Sequence, residues 1–147
     1  MQDKNSISEL ERNKAISHKF NEEVKNKHNI EAIDELLSPD FVNYSEIPGF
    51  PPTREGIKEF FAYFIKAFPD LSCTINDTIA EGNKVVDYFT FEGTHQGEFV
   101  GIPATGRRIK YNGMHIFSFE KGKITGHWNV LDLLTLMIQL DVVPPPG

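Results

Sequence analysis

A chain of 147 residues, 39% apolar and 24% charged, has the size and composition of one globular domain, and its twelve phenylalanines supply bulk for a single core. The net charge of −6 argues against a basic surface for phosphate backbones, so no nucleic-acid partner is expected. One cysteine, Cys73, rules out an intrachain disulfide and thiolate-rich metal sites, and the polar stretch 1–10 lacks the apolar run of a secretion signal; a cytoplasmic protein without membrane attachment is expected.

Residues 6–26 are predicted to form a helix, because Ser6 and Glu9 have capping-box spacing and Asn13, Ile16, Phe20 and Val24 recur at helical intervals. Asn13 lies near the start of that helix and is expected to face solvent. A second, short helix over 30–37 stops at Ser38-Pro39, since proline disfavours helix at the residue before it, and 41–44 is then extended. The loop 45–52, with Pro48, Gly49, Pro51 and Pro52, leads into a third helix with Thr53 as its N-cap. Ile57, Phe60, Phe61, Phe64 and Phe68 form one stripe of that helix. Such a stripe serves the core first and a ligand second.

From residue 71 the period changes to two. Segments 71–81, 84–94, 108–120 and 123–131 read as strands joined antiparallel, the first and last pairs by tight hairpins. The excursion 95–107 is long enough to reach over a cavity mouth. Residues 132–140 read as a closing helical turn before a proline-rich tail. Helices followed by strands make an α+β fold, with the helices packed on a mostly antiparallel sheet and a single domain over 1–147, its core at about 13–140.

Four stretches carry a resemblance: Phe68-Pro69-Asp70-Leu71, Gly93-Thr94-His95-Gln96-Gly97, Gly101-Ile102-Pro103-Ala104-Thr105-Gly106, and Gly122-Lys123-Ile124 leading to His127-Trp128 and Asp132. In order and spacing the chain resembles the SnoaL-like polyketide cyclase, or ester cyclase, group of the NTF2-like superfamily from about Asn13 through Leu140. The resemblance implies a cone-shaped α+β barrel enclosing a small-molecule pocket. It also implies an aldol ring closure on an apolar carbonyl substrate, with no organic cofactor and no metal. The same scaffold carries isomerases, hydrolases and noncatalytic binding proteins, so the reaction does not follow from the fold.

Aldol closure needs a base beside the carbonyl and an acid for the enolate or alkoxide oxygen. Asp132 is the first candidate, at the end of a strand carrying Trp128 and Val130 on alternate positions; its competing role is to cap the following helical turn. The family's carboxylate belongs to this region, and if its position is 129, the chain holds Asn129, which exchanges no proton. His115 shares the parity of Phe117 and is the second catalytic candidate. His127, preceding Trp128, is expected on the outer face, where with Thr125 it would join a homodimer contact. Asn43 and Tyr44 are candidate hydrogen-bond partners for a substrate oxygen, Phe20, Phe64 and Trp128 are candidate walls, and His95 reads as part of a structural turn.

Overall fold

A computed structural model describes residues 7–146, and its elements follow the predicted order. Helix α1 (Ile7–Phe20) runs directly into a π-helical segment, Asn21–Asn26. Ser6 of the predicted capping box lies outside the described residues. Asn13 is buried and not in solvent, because the face it interrupts packs onto the sheet. After α2 (Ala32–Leu36) the chain extends at once into β1 (Leu37–Asn43). Pro39 falls in the irregular stretch between the Leu37 and Val42 pairings of this edge strand, where a missing N–H breaks no regular ladder.

Thr53 caps α3 (Arg54–Ala67): its Oγ1 accepts from the Gly56 N–H at 3.2 Å. Ile57, Phe61 and Phe64 are buried along the stripe, and Phe68 is buried just beyond it. Past the helix, the Asp70 carboxylate accepts from the N–H and the hydroxyl of Thr94, each at 2.7 Å, and pairs with Arg108 at 3.1 Å. Two of the sequence motifs are therefore halves of one joint that ties the end of α3 to the sheet.

The sheet has the order β1-β5-β4-β3-β2, with β2 (Ser72–Glu81), β3 (Lys84–Thr94), β4 (Arg108–Glu120) and β5 (Lys123–Leu131) antiparallel and β1 parallel to β5. Register shifts between Ile75 and Asp77 and between Ser118 and Phe119 bend it. The sheet stays open, with β1 and β2 at its edges. The fold is α+β, as predicted, with helices and not further strands completing the enclosure. A short helix, α4 (Leu133–Gln139), follows β5.

Strand register decides which side chains meet. His115 lies opposite Asn129 and Phe117 opposite His127, so these four share the inner face. Trp128 and Val130 take the outer face, contrary to the expectation that the large indole would point inward. Tyr44 is also outside, stacked on Trp128 with ring centroids 4.6 Å apart and planes 9° from parallel. Gly113 lies opposite Leu131, and a Cβ there would come within 2.5 Å of Leu131 Cδ2 and 2.9 Å of Phe89 Cε1. Any side chain at 113 would thus displace the Phe89 ring or Leu131.

Candidate active site

Between the inner sheet face, α1, α3 and the loops 45–50 and 98–101 lies a cavity of about 810 Å³, within the range of small-ligand sites. Phe20, Phe61, Phe64, Phe89, Phe91 and Phe117 line it. Two exposed carboxylates, Glu46 and Glu98, stand where its lining meets solvent. Residues 98–101 belong to the predicted excursion, which does reach the mouth. Tyr63 secures them: its hydroxyl donates to Glu98 at 3.1 Å and accepts from the Val100 N–H at 2.6 Å.

The inner end is polar in an aromatic setting. His115 is buried with its ring against Phe117 (centroids 4.1 Å) and Phe89 (5.2 Å). Its Nε2 lies 2.8 Å from Asp87 Oδ2. Asp87 is fully buried and also accepts from Ser17 Oγ, and from Thr78 Oγ1 at 2.7 Å. Burial pushes the Asp87 pKa up, but hydrogen bonds from His115, Ser17 and Thr78 outweigh it and hold the group below its ordinary range. Burial holds His115 well below an ordinary imidazole, against the pull of Asp87. At neutral pH the pair is therefore carboxylate and neutral imidazole. The carboxylate accepts, so Nε2 carries the hydrogen and Nδ1 keeps its lone pair.

His127 also lines the cavity. Its Nδ1 lies 3.0 Å from Asn43 Oδ1, which also accepts from the Ser45 N–H at 3.1 Å, so Nδ1 is the donor and Nε2 the unprotonated nitrogen. Burial lowers its pKa well below the ordinary value. Both imidazoles are thus neutral, but one is backed by a carboxylate and the other by an amide. An imidazolium at His115 would be stabilised by a full opposite charge, which makes His115 the stronger base. Among the described residues no group of three His, Cys, Asp or Glu side chains is arranged to hold a metal ion.

Of the candidates from sequence, His115, Phe20, Phe64 and Asn129 line the cavity. Asn43 is buried behind the lining, where it orients His127. Tyr44, Trp128 and Asp132 lie elsewhere. The expectation that Asp132 faces the apolar interior is overturned: it is exposed and caps α4, accepting from the Thr135 N–H at 3.1 Å and the Thr135 hydroxyl at 2.6 Å. Those bonds lower its pKa, the reverse of the elevation a buried acid needs. His127 faces inward and not outward, since β5 parity is set by the His115–Asn129 pairing. His95 is the turn residue expected, buried against Phe68 and accepting from the Thr105 N–H at 3.2 Å.

Sequence reasoning missed Asp87, the inward turn of His127, and Lys25. Asp87 had a signal: it shares the parity of Val85, Phe89 and Phe91, a charge on the apolar face of a strand. Lys25 had none at α-helical spacing. It follows Phe20 by five residues, and the π-helical segment turns both into the cavity.

Comparison with known proteins matches residues 15–140 to the family described as SnoaL-like polyketide cyclase. The nogalonic acid methyl ester cyclase of Streptomyces nogalater is 26% identical over 110 residues, which is 74% of this chain and 82% of the cyclase. TsrD from Streptomyces laurentii superposes with a TM-score of 0.83 at 30% identity, covering 90% of this chain and 97% of its own. AclR from Streptomyces galilaeus, provisionally described as a hydroxylase, reaches the same TM-score at 28% identity, covering 94% and 86%. One fold thus spans relatives with more than one chemical description.

Proposed function

The chain belongs to the SnoaL-like polyketide cyclase family, and from that premise we propose that it is an enzyme removing a proton beside the carbonyl of a small, mainly apolar compound, as in aldol ring closure. The observation that carries this reading is the buried Asp87–His115 pair, whose Nε2–Oδ2 distance is 2.8 Å in the wall of an aromatic cavity.

In this reading Asp87 fixes the tautomer and steadies the imidazolium, while His115 Nδ1 takes the α-proton. A positioned base of this kind contributes roughly 10²–10⁴-fold in rate. Asn129, opposite His115, makes no side-chain hydrogen bond among the described residues, and its amide is the donor assigned to the developing enolate oxygen. Asp132 takes no part. Phe20, Phe61 and Phe64 fold an apolar chain against the reacting end.

The test is α-hydrogen exchange of phenylacetone in D₂O, followed by NMR, with the parent protein and with His115→Gln. Glutamine can still donate to Asp87 but takes no proton. Loss of about 10²–10⁴ in exchange rate supports the assignment. Equal exchange by both proteins, or none by the parent, overturns it and leaves a binding protein of the same fold.

We also propose a homodimer through the outer sheet face. Tyr44 (56% exposed), Met114 (50%) and Val130 (76%) lie there with Trp128 on neighbouring strands, a contiguous apolar surface of the kind that marks association. His127 is not part of that face. Light scattering that returns only the monomer mass at all concentrations removes this proposal.

A further inference from the structure

Among the lining groups that the proton transfer does not use is an amine. Lys25 is 3% exposed, and among the described residues no side chain or backbone oxygen makes a hydrogen bond or ion pair with its Nζ. The amine lies 4.0 Å from the centroid of the Phe89 ring and 5.1 Å from that of Phe91. A permanent ammonium is costly in such a place, and burial lowers the Lys25 pKa, opposed by the Asp87 carboxylate. His115 and His127, the other titratable neighbours, are neutral and add no anion.

The placement is built. Asn21 Nδ2 and Asn26 Nδ2 both donate to the Cys73 carbonyl at 3.0 Å, and the Cys73 N–H donates to Asn26 Oδ1 at 2.7 Å. Both ends of the π-helical segment are thereby clamped to β2, with Lys25 between them. π-helical turns are rare and are found frequently at functional sites. Phe89 is the shared neighbour of the two reactive nitrogen groups, with its ring 4.0 Å from Nζ and 5.2 Å from the His115 ring.

We propose that Lys25 captures small apolar aldehydes or ketones as a Schiff base at the inner end of the cavity. The Nζ lone pair forms a bond to the carbonyl carbon, and the carbonyl π electrons move to oxygen, which takes a proton. The nitrogen then loses a proton, and the carbinolamine hydroxyl takes a proton from solvent and leaves as water as the nitrogen lone pair forms C=N. Net, carbonyl compound, amine and one proton from solvent give an iminium ion and water. An iminium acidifies the adjacent C–H more than a carbonyl does, which is the bond the neighbouring His115 is assigned to break. The inference rests on the cavity as the carbonyl site, but its test does not require His115 to be the base.

Intact protein is incubated with benzaldehyde and sodium cyanoborohydride at pH 7, and the reduced adduct is located by peptide mass mapping. Lys25 is expected to be labelled faster than exposed Lys121, since a lowered pKa raises the free-amine fraction at pH 7. In Lys25→Met, with unchanged near-UV circular dichroism, the fast label disappears and phenylacetone exchange falls. Labelling of Lys25 no faster than of Lys121 overturns the inference, whether or not the methionine variant folds. Exchange without Lys25 labelling sinks the Schiff base alone. Labelling without any exchange sinks the proton-transfer reading alone.

Discussion

The two faces of β4 and β5 break opposite rules. Inward, His115, His127 and Asn129 set polar groups in an aromatic wall; outward, Met114, Trp128 and Val130 set apolar groups toward water. Burial of polar groups is costly and here is offset by specific partners, the Asp87 carboxylate and the Asn43 amide oxygen. Exposed apolar area has no internal compensation and is relieved only by covering it. The inner irregularity is therefore read as chemistry and the outer one as association.

The sharpest break comes at Asp87. Asp87→Asn removes the charge that supports an imidazolium and is expected to cost about 10²–10⁴ in α-hydrogen exchange, measured as for His115→Gln. An effect below tenfold would mean that the pair holds the wall and not the base. The outer face is tested by Met114→Glu with Val130→Glu, which should shift the protein from dimer to monomer mass by light scattering at 10 μM, roughly the concentration of an ordinary assay. Exchange should stay within about twofold of the parent in Met114→Glu alone, because Met114 is not among the residues lining the cavity, whose edge Val130 does reach.

Acid tests the inner face by stability. His115 and His127 have lowered pKa values in the folded protein, so below an imidazole's ordinary 6.5 the unfolded chain binds protons that the folded chain refuses. Stability is complete above that value and falls as the pH drops, by up to about 1.4 kcal/mol per pH unit for each buried imidazole. Asp87, also lowered, adds its loss beneath the ordinary carboxylate value of 3.8. Urea midpoints between pH 4 and 8 should slope less steeply in His115→Gln; identical slopes would show that His115 titrates normally. The smallest effect is expected at Asp132→Ala, where loss of the α4 cap lowers the melting temperature by a few degrees and leaves exchange unchanged. A tenfold fall in exchange there would return Asp132 to the reaction.

Much of the architecture was legible because it is local. The Thr53 cap, the phenylalanine stripe of α3, the switch to period two and the closing turn after Asp132 each follow from a few neighbouring residues. Among the resemblance motifs, Asp70 and Thr94 build an unforeseen joint, and His95 the expected turn. The site was legible only in part. His115 and Asn129, singled out from the sequence, do line the cavity, but reading Trp128 as a wall turns His127 outward in consequence, an error of one residue in parity that reverses a strand.

By itself the sequence determined the helices, the strands, the caps and the α+β class, because periodicity and capping act over three or four residues. Only the tertiary structure decided that Asp87 on β3 meets His115 on β4, that His127 and Asn129 join them, and that Asp132 stays in solvent. Register is a property of paired strands and not of one strand, and burial is a property of everything packed around a residue. Lys25 shows this most plainly: its inward course depends on a π-helical turn clamped to Cys73, 48 residues further along the chain.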